Sequence, residues 1–107
     1  LLDALPICIV LGVRYYKGAG TTGVHKGHLW TSAGLLLAEA TFTSETASGW
    51  QEVLFEKPVP ILPNVTYIVS YHSASGDYAY TSNYFVSAVT NGPLKALADG
   101  EYGNNGL

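Results

Sequence analysis

The stretch VTYIVSYHS, residues 65–73, decides the fold class of this chain. It is rich in β-branched and aromatic residues, which favour strands over helices. Successive side chains of a strand point to opposite faces. One face therefore carries Tyr67, Val69 and Tyr71, and the other carries Ile68, Ser70 and His72. The pattern predicts a β-strand, with Tyr67 and Tyr71 in the core.

Strand patterns of the same kind precede this stretch. They cover residues 8–17, 28–32, 35–42 and 50–55. The strand at 35–42 places Leu36, Ala38, Ala40 and Phe42 on one face, and the strand at 50–55 does the same with Gln51, Val53 and Phe55. Trp50 is the first residue of that last strand. Its side chain lies on the other face and is expected to be partly buried. Between the first two strands, residues 18–27 contain four glycines and predict a long loop.

The segments flanking these strands are less regular. Residues 56–64 hold three prolines, each of which lacks a hydrogen-bond donor, so an extended segment at a sheet edge is expected. The strand pattern resumes at 77–85, and PLKALA, residues 93–98, allows one helical turn. About six strands at a spacing of about ten residues predict an all-β fold, an antiparallel β-sandwich of the jelly-roll or immunoglobulin-like kind.

Composition excludes several classes of partner. The chain has 107 residues, a net charge of −3 and only 12% charged residues, so one domain with a polar but largely uncharged surface is expected. The five basic residues are scattered singly, which argues against nucleic acid as a partner. No apolar run reaches the roughly 18 residues that membrane insertion requires. Cys8 is the single cysteine and cannot form an internal disulfide.

The first and last residues predict a truncated domain. Residues 1–7 include Asp-Ala-Leu-Pro-Ile, which resembles a translated sequencing adapter, and are expected to be an artefact. Residues 8–107 are then expected to form a single β-sandwich domain that lacks its first and last strands.

The residues from 77 to 85, the tyrosine segment, are the first candidate binding site. On a strand Tyr78 and Tyr80 would share one face, and with Tyr84 they could form a platform for a sugar ring. Asp77 and Asn83 could bind its hydroxyl groups. The alternative is that these tyrosines pack against the domain with only their hydroxyls in solvent. Phe85 is expected in the core.

Trp30 and the loop bearing His25 form a second candidate binding site. Trp30 is equally compatible with a sandwich core and with an exposed platform at the edge of a loop. Two sets of residues offer metal-ligating side chains: the histidines His25, His28 and His72 with Asp77, and the oxygens of Asp99, Glu101, Asn104 and Asn105. Neither spacing is specific for zinc or calcium, so no cofactor is predicted.

Catalysis is not predicted. The chain has no G-x-S-x-G nucleophile elbow, and no pair of carboxylates is placed by the pattern on one cleft.

Residues Val13 to Phe85 resemble domain of unknown function family 4082. The resemblance is carried by GVRYYKGAGTTGVHKGHLWTSAGLLLAEATFTSETASGWQEVLFEKPVPI and TYIVSYHSASGDYAYTSNYF, with a later match at GPLKALADGEYGNNG. It implies a non-catalytic accessory β-sandwich of secreted or cell-surface multidomain bacterial proteins, beside neighbouring domains of the same chain. A polysaccharide or glycan is then the expected partner. The alternative is a structural spacer or adhesion repeat with no small ligand.

Overall fold

The computed structural model describes residues 8–100, which form strands and turns. The strands are β1 (Cys8–Lys17), β2 (His25–Thr31), β3 (Leu36–Thr41), β4 (Gly49–Ile61), β5 (Tyr67–Ser73), β6 (Val89–Asn91) and β7 (Leu94–Ala96). A three-residue 3-10 turn, Tyr84–Val86, precedes β6. Within these residues no helix has the length and apolar character of a membrane span.

The strands form two main antiparallel sheets and a hairpin. One sheet pairs β1 with β4, the second has the order β3-β2-β5, and β6 pairs with β7 in the hairpin. The two main sheets meet where β3 lies against β4 and β1 against β2. The predicted all-β antiparallel sandwich is confirmed. Residues 1–7 lie outside the described residues, as do Glu101, Asn104 and Asn105 of the calcium hypothesis.

The core lies between the two sheets and contains several aromatic rings. Its buried residues are Val13, Tyr15, Leu29, Phe42 and Phe55. The ring of Tyr15 stacks on Tyr71 at a centroid distance of 4.5 Å and meets Phe42 edge-on at 4.8 Å. Tyr67 and Tyr71 pack against this cluster and are half-buried, so they contribute to the core as predicted. Buried aromatic contacts of this geometry stabilise a core beyond their area alone.

Strand β2 begins earlier than predicted, at His25, inside the stretch that its glycines suggested was loop. The reason is a close approach between the sheets at Gly27. A Cβ atom added there would lie 2.9 Å from Val13 Cβ and 3.3 Å from Phe42 Cε2. Gly27 therefore serves sheet packing rather than a turn.

Strand β4 continues through the proline-rich stretch. Pro60 pairs opposite Ile9, and within the described residues β4 has β1 as its only partner. The register jumps between Val10 and Gly12, where β4 has additional residues. Pro58 and Pro60 therefore lie on an edge strand, as predicted, because an edge strand has one side that needs no donors, and Pro63 lies in the turn that follows.

Three predictions near the C-terminus and one at Trp50 are wrong. No residue from 77 to 85 is in a strand, and Leu94–Ala96 is a strand of the β6-β7 hairpin rather than a helical turn. Phe85 is half-buried and lies outside the core cluster. Trp50 is 70% exposed because its face of β4 points away from the other sheet.

Candidate functional site

The outer face of β2 carries a groove of about 480 Å³. Its polar and aromatic lining comes from all three strands of the sheet: Lys26, His28, Trp30, Glu39, Ser70 and His72. We call it the β2 groove. Tyr71 also borders it.

Strand alternation and register build this groove. Residues 25, 27 and 29 of β2 are buried, so Lys26, His28 and Trp30 project from the opposite face. His28 pairs with Glu39 of β3 and Ser70 of β5, and Lys26 pairs with His72 of β5. Side chains directly opposite on neighbouring strands are close enough to interact. The register therefore assembles residues that are far apart in sequence.

The aromatic rings of the groove are held in place by hydrogen bonds. The rings of His28 and Trp30 stack at a centroid distance of 5.5 Å and an angle of 26°. Trp30 Nε1 donates a hydrogen bond to Ser70 Oγ at 2.9 Å. His28 Nε2 lies 2.8 Å from Glu39 Oε2. The groove thus presents a preorganised aromatic surface with polar side chains on both sides.

The groove does not assemble a metal site. His28 and His72 border it, but His25 lies on the buried face of β2, so the three histidines do not converge. Among residues 8–100, no three histidine, cysteine or acidic side chains are grouped closely enough to hold a metal ion. The polar atoms of the groove suit hydrogen bonds to a neutral or charged organic ligand.

The tyrosine segment is exposed, but its rings form no flat platform. Tyr78 is 67% and Tyr80 77% exposed, with centroids 5.9 Å apart and planes at 48°. Tyr84 is also exposed, and its ring contacts Phe85 edge-on at 5.1 Å in the 3-10 turn. The structure therefore brings Tyr78 and Tyr80 together and gives Tyr84 a different ring neighbour.

The polar candidates of the tyrosine segment lie in turns. The amide of Asp77 donates to Ser75 Oγ at 3.4 Å. Asn83 has a φ of 59° and precedes the 3-10 turn without a side-chain capping bond.

His25 belongs to a buried charged cluster that sequence patterns did not indicate. Its ring is 0% exposed, and its Nδ1 lies 3.0 Å from Glu45 Oε2. The hydroxyl of Tyr15 donates to the other oxygen of Glu45, and Lys17 Nζ lies 3.4 Å from that oxygen. We call these four residues the Glu45 cluster. It joins the loop at 42–48 to the end of β1 and the start of β2.

Burial and charge oppose each other at Glu45. Burial alone would raise the pKa of this carboxyl. The hydrogen bonds from Tyr15 and His25 and the attraction of His25 and Lys17 outweigh burial, so the pKa lies below its ordinary value. For Tyr15, burial raises the pKa of the phenol strongly, and the bond to Glu45 adds to that increase. The cluster therefore keeps Glu45 ionised and Tyr15 protonated.

The side chains around His25 are arranged in space like a serine hydrolase triad, with Ser73 and Glu45 on opposite sides of the ring. Ser73 Oγ lies 3.4 Å from His25 Nε2, on the side of the ring opposite Glu45. A catalytic histidine must also reach the leaving group of a substrate. The fully buried ring of His25 offers no such access. These contacts hold the loop at 42–48 against β2 and β5.

Sequence reasoning named Trp30 as a candidate but did not name most of the residues that line the groove with it. Lys26, Glu39 and Ser70 carry no motif, and only the strand register unites them with Trp30. Glu45 was missed because it is a single acidic residue in a polar loop. Gln51, which donates to Thr46 Oγ1 at 2.7 Å and to the carbonyl of Gly49 at 3.0 Å, was expected only to share a strand face.

Comparison with known proteins identifies a family and no individual relative. A family model described as Domain of unknown function (DUF4082) matches residues 7–107. No curated protein and no solved structure matches the chain. The matched region includes every strand described above. The chain therefore belongs to the DUF4082 family.

Proposed function

We propose that this domain is a non-catalytic, glycan-binding accessory module of a secreted or cell-surface multidomain bacterial protein, with its site in the β2 groove. The observation that carries the proposal is the indole of Trp30, stacked on His28 and fixed by Ser70 on an open sheet face. A sugar ring packs its C–H face on such a surface. Hydroxyl groups of that ring would bind Glu39, and groups of a neighbouring sugar unit would bind Lys26 and His72.

The dimensions of the groove support a small binding site. Its volume of about 480 Å³ lies within the range of small-molecule sites in proteins. Because the ring positions are already fixed, little side-chain entropy is lost on binding. Aromatic stacking contributes on the order of 1 kcal/mol for each contact. One module should therefore bind weakly, and neighbouring modules would strengthen attachment through avidity.

The tyrosine segment supplies a second exposed aromatic surface. Tyr78 and Tyr80 lie in contact and are both largely in solvent. Their tilt suits a ligand that touches two rings at an angle rather than a flat chain. Tyr78→Ala and Tyr80→Ala, measured in the assay below, determine whether this surface adds to binding.

The test is retention on a panel of insoluble plant, fungal and bacterial-wall polysaccharides. Trp30→Ala should reduce retention several-fold, and Trp30→Phe should reduce it less because a ring remains. Trp50→Ala is the matched control, since it removes an exposed indole from the other sheet. Melting temperature is measured for every variant.

Two outcomes would contradict the proposal. Retention of the wild type on none of the polysaccharides would favour a structural spacer. Loss of retention in Trp50→Ala but not in Trp30→Ala would place the site on the β1-β4 sheet.

A further inference from the structure

We propose that the β2 groove selects a glycan that carries carboxylate groups, such as a polymer of uronic acid units. This inference rests on the proposed function of the groove and adds the chemical class of its ligand. It comes from a lysine and a histidine side chain at one end of the groove.

Lys26 and His72 are directly opposite each other on β2 and β5, and both are exposed. Their side chains leave the same face of the sheet, so they lie close together. Both border the groove. Together they offer an ammonium group and an imidazole to one ligand group.

Lys26 differs from Arg14 and Lys17 in having no acidic partner. Arg14 lies 2.9 Å from Glu52 Oε1, and Lys17 lies 3.4 Å from Glu45 Oε1. Among residues 8–100, no carboxylate lies within 4.0 Å of Lys26 Nζ. Glu39, the acidic residue of the groove, is engaged by His28 at 2.8 Å. The free cation of the groove is therefore Lys26.

The distance along β2 indicates at least two sugar units. Trp30 and Lys26 are four residues apart, which is about 13 Å along a strand. A single sugar ring stacked on Trp30 does not extend that far. One unit would stack on Trp30 and His28, and the carboxylate of a neighbouring unit would bind between Lys26 and His72.

Carboxylate is favoured over phosphate by the donors present. Phosphate sites in proteins commonly use arginine forks or helix N-termini. The groove contains neither, since no arginine is among its lining residues and all of them lie on β-strands. The net charge of −3 opposes general attraction of polyanions, so retention would depend on this local pair.

The experiment compares two forms of one polymer. Polygalacturonate and its methyl ester share a backbone, but the ester has no charge. The wild-type domain should be retained several-fold more strongly on the acid than on the ester, and added salt should reduce the difference. Lys26→Gln and His72→Gln should each remove most of that preference, without changing the melting temperature. Lys95→Gln on β7 is the control, since it makes the same charge change outside the groove.

The outcomes separate the inference from the proposed function. Equal retention on acid and ester, lost in Trp30→Ala, would overturn carboxylate selection and leave glycan binding in place. Retention on dextran sulfate but not on polygalacturonate would overturn carboxylate selection and assign Lys26 and His72 to sulfate esters instead. Retention unaffected by Trp30→Ala and Lys26→Gln together would contradict both proposals.

Discussion

At the scale of single residues, Glu45 joins elements that are distant in sequence. Its two oxygens bind the hydroxyl of Tyr15 and the ring of His25, and Lys17 lies beside them. The side chains of Glu45 and Lys17 are only 12% and 11% exposed, so these charges are mostly withdrawn from water. Buried charges are costly unless they are paired and hydrogen-bonded. Loss of one member should therefore destabilise the others.

We expect Glu45→Gln to lower the free energy of unfolding by about 2 kcal/mol, because it leaves Lys17 buried without its counter-charge. The pKa of Glu45 is lowered from 4.5 by folding, so its stabilising contribution is present above that pH. As pH falls through the lowered value, the carboxylate is protonated and the contribution disappears. The difference between wild type and variant should then be large at pH 7 and shrink below pH 4.5. Urea unfolding at several pH values measures it.

Glu52→Gln serves as the control for this experiment. Glu52 pairs with Arg14 on an exposed face, and such pairs contribute little to stability. A Glu45→Gln variant as stable as Glu52→Gln at pH 7 would show that the Glu45 cluster does not stabilise the fold.

At the scale of secondary-structure elements, β2 connects the rest of the domain. It pairs with β3 and β5, and its Gly27 touches Val13 of the other sheet. Its inward residues, His25, Gly27 and Leu29, are all buried. Changes to those positions should affect the packing of the two sheets.

Gly27→Ala should lower the free energy of unfolding by about 1–3 kcal/mol, because the added Cβ would lie 2.9 Å from Val13 Cβ. Gly18→Ala is the matched control. A Cβ at Gly18 would meet only ordinary contacts, the nearest at 3.6 Å, and its φ is not positive. Thermal unfolding of both variants measures the contrast. Equal melting temperatures would mean that the two sheets can shift apart at Gly27 enough to accommodate the added methyl group at little cost in stability.

The elements differ in how far sequence could predict them. The alternation of apolar and polar residues predicted the bounds of β1, β3 and β5 to within two residues, because one face of each strand packs toward the core. Sequence reasoning placed the start of β2 too late. Gly27 was among the glycines that suggested a loop, but it is a glycine because the other sheet lies too close for a side chain. The groove could not be predicted because it depends on strand register. The Glu45 cluster could not be predicted because it depends on the path of a loop.

At the scale of the whole molecule, the sheet opposite the β2 groove has an apolar outer face. Its exposed residues on β1 and β4 include Ile9, Leu11, Tyr16, Trp50 and Leu54. The rings of Tyr16 and Trp50 meet edge-on at 5.6 Å, and the Arg14–Glu52 pair lies next to them. Apolar faces of this kind promote association in solution.

Replacing Leu11 and Leu54 with Thr should therefore reduce association between copies of the domain. Both side chains are exposed, at 58% and 63%, and Thr suits a strand, so stability should change by less than about 0.5 kcal/mol. Light scattering as a function of protein concentration measures the effect. Val69→Thr on β5, which is 63% exposed, is the control. Scattering that falls equally in the control would contradict a role for this face.

The alternation of β2 has a consequence for protein engineering. Positions 26, 28 and 30 face the groove, whereas positions 25, 27 and 29 face the interior. A combinatorial library could therefore vary the even positions of β2, together with 39, 70 and 72, while the odd positions stay fixed. Variants selected from such a library for binding to a chosen ligand would keep the scaffold and differ only on the groove face. The inward positions of this seven-residue strand would then maintain the fold, and its outward positions would determine which ligand a library variant binds.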